Sequence, residues 1–400
     1  MRANQRIVEL AGRREVHAAF QWLHLQEQRL LNWQMEILRI PAPPYKEARR
    51  AAWMRERFIE LGLERVQVDA EGNVLGEIPG LVSDGPVTML SAHLDTVFPE
   101  EVLPEPRLEE GRLHAPGAAD NVAGLTGLLG LAAAMKTAGL VPRQTVLFVA
   151  NVGEEAEGNL RGMRHLFFRS EYASRIRATI CLEGAGIEGV VVGGIGSRRL
   201  EATITGPGGH SWTEAGTPNP VVVLSRAIAK IDKIRVPRQP RTTWNIGRIE
   251  GGMSVTSIPE RVSCLIDLRS VDADELISLE VQVHRALEDA VLDANENAGE
   301  RRLGLQIRTI GDRPAGELSK ESSLLETVRA VDRHLRLRTE LRIGSTDANV
   351  PLALGREAIA VGAGGVAGGI HTLAEWFEPA GRELALRRAL LIVLDAAGQV

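Results

Sequence analysis

Ser91-Ala-His-Leu-Asp-Thr-Val97 is the stretch from which the rest of this 400-residue chain is read. It follows Val87-Thr-Met-Leu90, a short apolar run, so His93 is expected at the exit of a buried strand. In open α/β sheets, ligand sites form at such exits. His93 and Asp95 lie two apart, and in extended backbone both side chains face one way. A carboxylate placed there can hold the imidazole while its other nitrogen stays free for a metal. The plainer alternative is a hydrogen-bonded histidine at a strand end.

Downstream, Gly117-Ala-Ala-Asp120 delivers an acid just before the helical pattern Val122 to Met135, where it either caps the helix or faces a site. Thr145 to Ala150 reads as a buried strand and runs out into Asn151-Val-Gly-Glu154-Glu155. Adjacent residues at a strand end point to opposite sides, so one glutamate can bind a metal while the other faces an activated water. Two solvated charges are the alternative. Ala178 to Leu182 is a further apolar strand, and it ends in Glu183. Three strand ends and one loop thus carry His or carboxylate.

Upstream, residues 14 to 38 have helical periodicity until Pro41-Ala-Pro-Pro44 stops them; a second helix spans about 46 to 61, and the Val66 and Val74 segments form a hairpin. From Gly196 the order becomes β-α-β-β-α-β, the ferredoxin-like split arrangement, and the α/β pattern then resumes. The expected organisation is a catalytic domain in two parts, 1–195 and 311–400, with an inserted α+β domain at 196–310. Gly362-Ala-Gly364-Gly-Val-Ala367 is an incomplete dinucleotide fingerprint with no helix after it, so a nucleotide is rejected.

A net charge of −5 with pI near 6.1 carries no basic footprint for nucleic acid or an anionic membrane. The start has no apolar leader segment, and no run of 18 apolar residues occurs. Cys181 and Cys264 each sit in an apolar run and read as buried free thiols, consistent with a reducing cytoplasmic setting.

The ordered set His93-x-Asp95, Gly117-Ala-Ala-Asp120, Glu154-Glu155, Glu183, Gly208-Gly-His210-Ser and His371 resembles the M20 family of di-zinc metallopeptidases and aminoacylases. Gly251 to Glu260, Asp267-Leu-Arg-Ser270 and Ser345-Thr-Asp-Ala-Asn349 extend the resemblance over nearly the whole chain. It implies a zinc-exopeptidase-like three-layer α/β catalytic domain with a mixed sheet, and gives the insert the role of a lid and dimerisation domain. By the same resemblance, His93, Asp120 and Glu183 hold one zinc, and Asp120, Glu155 and His371 the other. Asp120 then bridges, and Co2+ or Mn2+ can replace Zn2+ in such N/O sites.

The resemblance further implies that Asp95 orients His93 and that Glu154 is the general base acting on a metal-bridging hydroxide. It also implies that His210 donates to the oxyanion from a partner subunit, that Arg269 and Asn245 grip a substrate carboxylate, and that Gly364 shapes the pocket. Alternatives for Arg269 and Asn245 are a surface salt bridge and a strand-edge amide. Many members have Asp-Lys or Asp-Met-Lys where this chain has Asp120-Asn121-Val122. The expected activity is amide hydrolysis of a di- or tripeptide with a free carboxylate, in a homodimer. The alternatives are an N-acyl-amino-acid amidohydrolase and a non-catalytic binding protein on the same fold.

Overall fold

A computed structural model describes residues 3–82 and 84–398. Met1-Arg2 of the expected leaderless start and Ser83, in the turn before the Val87 run, lie outside the described residues. The chain divides into two compact units, 1–194 with 317–400, and 195–316.

The first unit is built on a large mixed sheet. From one edge its strands are Glu64–Val68, Val74–Ile78, Val146–Asn151, Val87–His93, Ile176–Leu182, Glu357–Val361 and Gly189–Gly194, with Glu340–Gly344 beside the last. The Val146, Val87, Ile176 and Glu357 strands run parallel, so Asn151, His93, Leu182 and Val361 end along one edge of the sheet. Every residue of the Val74, Val87 and Val146 strands is buried, as continuous apolar strands covered on both faces should be. The helix Val122–Ala138 is equally enclosed, with all of residues 122 to 135 buried. It lies closely against the sheet because Gly124 has no side chain: a Cβ there would stand 2.7 Å from the Leu182 carbonyl.

The expected single helix at 14–38 is two helices, Arg14–Leu25 and Glu27–Leu38, preceded by a third at Ala3–Ala11. Gln26, at φ −105° and ψ 18°, makes the break. Both halves pack on the Val122 helix, one through Val16, Ala19 and Leu23 and the other through a stripe containing Leu30 and Leu31. No Gly or Pro marks the bend, so periodicity could not find it. The helices Ser323–Leu335 and Arg382–Ala396 are joined by a fully buried ion pair. The Arg388 guanidinium donates to both Asp332 oxygens at 2.5 and 2.9 Å and to the Ile187 carbonyl at 2.7 Å.

The second unit is a four-stranded antiparallel sheet ordered Thr242–Gly251, Arg261–Ser270, Gly196–Thr205, Gly304–Arg313, with helices Pro220–Ile231 and Ala273–Asn295. The first and third strands in chain order are neighbours at the centre, which is the ferredoxin-like arrangement. Strict alternation along Arg261–Ser270 sends Val262, Cys264, Ile266 and Leu268 into the core with Leu276, Leu279 and Val283. Asp272 opens the long helix by accepting from the amides of Asp274 and Glu275, both at 3.0 Å. The opposite face of that sheet is polar. Cys181 and Cys264 are buried free thiols, and among the described residues no helix is long and apolar enough to cross a membrane.

Candidate active site

His93 is the last residue of its strand and is fully buried. Its Nδ1 lies 3.1 Å from the Asp95 main-chain carbonyl, which takes that proton and leaves Nε2 to face outward. Nε2 stands 3.2 Å from Asp120 Oδ1 and 3.3 Å from Glu183 Oε1. The other Asp120 oxygen, Oδ2, lies 3.0 Å from Nε2 of His371, which is also 3.3 Å from Glu155 Oε1. One carboxylate therefore faces two imidazoles, one per oxygen.

In a tetrahedral site with bonds of roughly 2.0–2.1 Å, neighbouring donor atoms stand ~3.3 Å apart. The separations here match that spacing, and three overlapping donor groups each lie within 4.8 Å: His93, Asp120, Glu183; Asp120, Glu155, His371; and His93, Glu154, Glu155. The donor set, imidazole and carboxylate, fits borderline divalent ions. The Asp120–Asn121 peptide is cis. His371 has φ +63°, left-handed backbone that costs a non-glycine residue about 1–3 kcal/mol.

The Asp95 carboxylate faces the His93 ring at 3.6 Å and also accepts from the backbone amides of Glu154 and Glu155, at 3.0 and 2.7 Å. Burial works against its charge, but His93 and the two amides hold its pKa below the ordinary aspartate value. The expectation that the two glutamates point to opposite sides is corrected. The strand stops at Asn151, Gly153 turns the chain at φ +67°, and strand alternation no longer applies, so both carboxylates reach the same site.

Glu375, which the sequence gave no reason to single out, does the same for the opposite loop. It is 1% exposed and accepts from the amides of Gly117, Ala119 and Asp120 at 2.9, 2.8 and 3.1 Å. Asn121 accepts from the Gly184 amide at 3.0 Å and donates to the Leu182 carbonyl at 2.9 Å, bracketing Glu183. Asp120 thus does not cap the helix; Asn121 is at the cap position and its side chain is used elsewhere. Asp347 was likewise missed. It is buried, accepts from Asn151 Nδ2 at 2.8 Å, and burial pushes its carboxyl up to about 7.

His210, Arg269 and Asn245 belong to the second unit. The exposed His210 ring accepts at Nδ1 from the Trp212 amide at 3.2 Å, which assigns its proton to Nε2. Arg269 donates to Asp267 at 2.7 Å, and Asn245 is in register opposite Asp267, so the three share the polar sheet face. Gly364, at φ +86°, packs against the final helix: a Cβ would stand 2.4 Å from Arg382 Cα.

With this geometry in hand, comparison with known proteins is informative. The family model for peptidase family M20/M25/M40 matches residues 89–395, and the chain belongs to that family of metal-dependent peptidases and amidohydrolases. Among its relatives are the uncharacterised protein YqjE of Bacillus subtilis, 25% identical over 68% of this chain and 75% of YqjE, and a proposed LysW-lysine/LysW-ornithine hydrolase of Aeropyrum pernix, 32% identical over 70% and 78%. The fold matches aminopeptidase PepT of Bacillus cereus (TM-score 0.74, 21% identity, 92% of this chain and 98% of that one). It also matches a Staphylococcus aureus tripeptidase (TM-score 0.76, 22% identity, 93% and 99%).

Glu375→Ala and Asp95→Ala each free a ligand-bearing loop, and each is expected to weaken metal binding about 10–100-fold with the fold retained, read by competition with a chromogenic chelator. Unchanged affinity in both would remove the anchoring role. Hydrogen bonds from His371 to Asp120 and Glu155 raise its pKa to about 10, and His93, although burial opposes its charge, is carried well above 6.5 by Glu183, Asp120 and Asp95. After chelation, the stability His371 contributes is present below its unfolded pKa near 6.5 and is lost as pH rises through about 10. Metal binding at pH 7 must displace these protons, so titration calorimetry in buffers of different protonation heat is expected to show release of roughly one to two protons. A heat independent of the buffer would contradict this.

Proposed function

We propose that this M20 hydrolase cleaves the amide bond of a small substrate carrying a free carboxylate, most simply a di- or tripeptide. The single observation that supports it best is the Asp120 carboxylate, whose two oxygens face two different imidazoles at 3.2 and 3.0 Å. In this reading His93, Asp120 and Glu183 hold one ion and Asp120, Glu155 and His371 a second, with Zn2+ the fitting choice and Co2+ or Mn2+ as substitutes. When bound, such ions polarise a carbonyl and lower the pKa of water toward neutrality.

The chain's own residues supply the proton traffic. Glu154, 4% exposed and tied through its amide to Asp95, takes a proton from the attacking water and passes it to the leaving amine. Protonation of the amine makes it a competent leaving group. His210, with its proton on Nε2, donates to the oxyanion of the tetrahedral intermediate, in trans within a homodimer. Arg269 and Asn245 bind the substrate carboxylate, and Arg269 must exchange its bond to Asp267 for that contact. Gly364 contributes by letting the loop before His371 pack closely on the final helix. An N-acyl-amino-acid amidohydrolase needs the same groups and differs on the acyl side alone. The two buried thiols support a reducing, cytoplasmic setting.

Glu154→Gln is expected to lower kcat about 10²–10⁴-fold while metal content stays at the wild-type level. Mass spectrometry of wild-type and variant reactions with mixed short peptides and N-acyl amino acids identifies the products; loss of neither class in the wild type would remove this reading. His210→Ala is expected to reduce kcat without changing sedimentation as a dimer. A fully active monomer at micromolar concentration would exclude the contribution in trans.

A further inference from the structure

A cleft of 430 Å³ opens beside Glu183 on the same edge of the large sheet as the candidate site, and it is lined wholly by the first unit. Its position follows from strand order. Glu183 leaves the Ile176 strand; the Glu357, Gly189 and Glu340 strands come next, and strands are spaced ~4.8 Å, so the cleft extends about 14 Å to Arg342. That is longer than one side chain.

The walls carry the aliphatic side chains of Ile187, Val191, Leu337 and Val366; Glu188 lines the cleft beside them, its carboxylate accepting from the Arg338 amide at 3.1 Å. The floor is two glycine-rich loops knitted through the main chain. Gly364 N donates to Gly186 O at 3.0 Å and Ala363 N to Gly184 O at 3.0 Å. The buried Arg388 grips the Ile187 carbonyl from behind at 2.7 Å. These bonds tie the two loops of the floor together.

At the far end the Arg342 guanidinium lies flat over Gly189, its Cζ, Nε and Nη1 each 3.2 Å from where a Cβ would stand. Arg342 donates to Glu340 at 2.9 Å, so its charge is already answered and the end is a polar rim. Glu183 lines both the cleft and the donor cluster, which makes the two continuous.

We propose that this cleft is the acyl-side subsite and takes an extended aliphatic group, an apolar residue or acyl chain longer than acetyl. The inference rests on the hydrolase reading above, in which the substrate carboxylate on the amine side is left to Arg269 and Asn245. It names the substrate class: amides whose acyl part is apolar and extended.

The test separates the two. Octanoate and acetate, acyl products that cannot be turned over, are titrated calorimetrically into the metal-loaded full-length protein, its Val366→Trp variant, which fills the cleft from an exposed position, and Val366→Ser, which makes it less apolar. Octanoate is expected to bind the wild type at least tenfold more tightly than acetate. The ratio should fall below threefold in Val366→Trp and to an intermediate value in Val366→Ser. In parallel, kcat/KM for N-octanoyl over N-acetyl amino acids should follow the same order. Equal binding of the two acids to the wild type, or an unchanged ratio in Val366→Trp, overturns the subsite even if hydrolysis is found. A retained octanoate preference with no hydrolysis of any amide keeps the subsite and removes the hydrolase reading.

Discussion

Two buried carboxylates, neither of them a candidate metal donor, hold the site together by accepting backbone N–H groups. Asp95 takes two amides from the loop carrying Glu154 and Glu155; Glu375 takes three from the loop carrying Asp120. A loop at a strand end leaves its amides unpaired, and a buried unpaired amide is costly. A carboxylate with four lone-pair positions satisfies several at once, and the amides in turn support its charge. The loops are thereby fixed where irregular backbone would otherwise wander.

This anchoring explains how four like-charged side chains can converge. Asp120, Glu154, Glu155 and Glu183 repel one another, and burial together with the charges of Asp120 and Glu155 raises the pKa of Glu183. Two imidazoles offset part of that repulsion, and divalent ions would offset more. The cluster is held by the surrounding rigid parts, the parallel strands and the Asn121 bracket around Glu183, which must also offset the left-handed backbone of His371. Preorganisation of this kind holds donor atoms at ligand spacing.

Much of the fold was legible because its signals are local. Apolar runs of four to seven residues marked the buried strands, period-two alternation marked the insert, and the change between them marked its approximate place. Candidate donors were legible for a related reason. Each histidine or acid at a strand exit has a plainer use taken alone, but their order along the chain resembles one family. The bend at Gln26 was illegible because neither Gly nor Pro makes it. The common direction of Glu154 and Glu155 was illegible because it depends on where pairing stops, which is decided by the neighbouring strands.

By itself, the sequence determined the α/β class, the insert, the residue types at each strand exit and the absence of a nucleotide loop, since each depends on a pattern within a few residues. Only the tertiary structure decided that Asp95 serves the glutamate loop as well as the imidazole, that Glu375 anchors Asp120, and that a cleft continues from Glu183. Those depend on groups 59 to 258 positions apart meeting through hydrogen bonds or across neighbouring strands. Which distant amide a buried carboxylate will capture is set by packing of the whole sheet, and no local pattern encodes it.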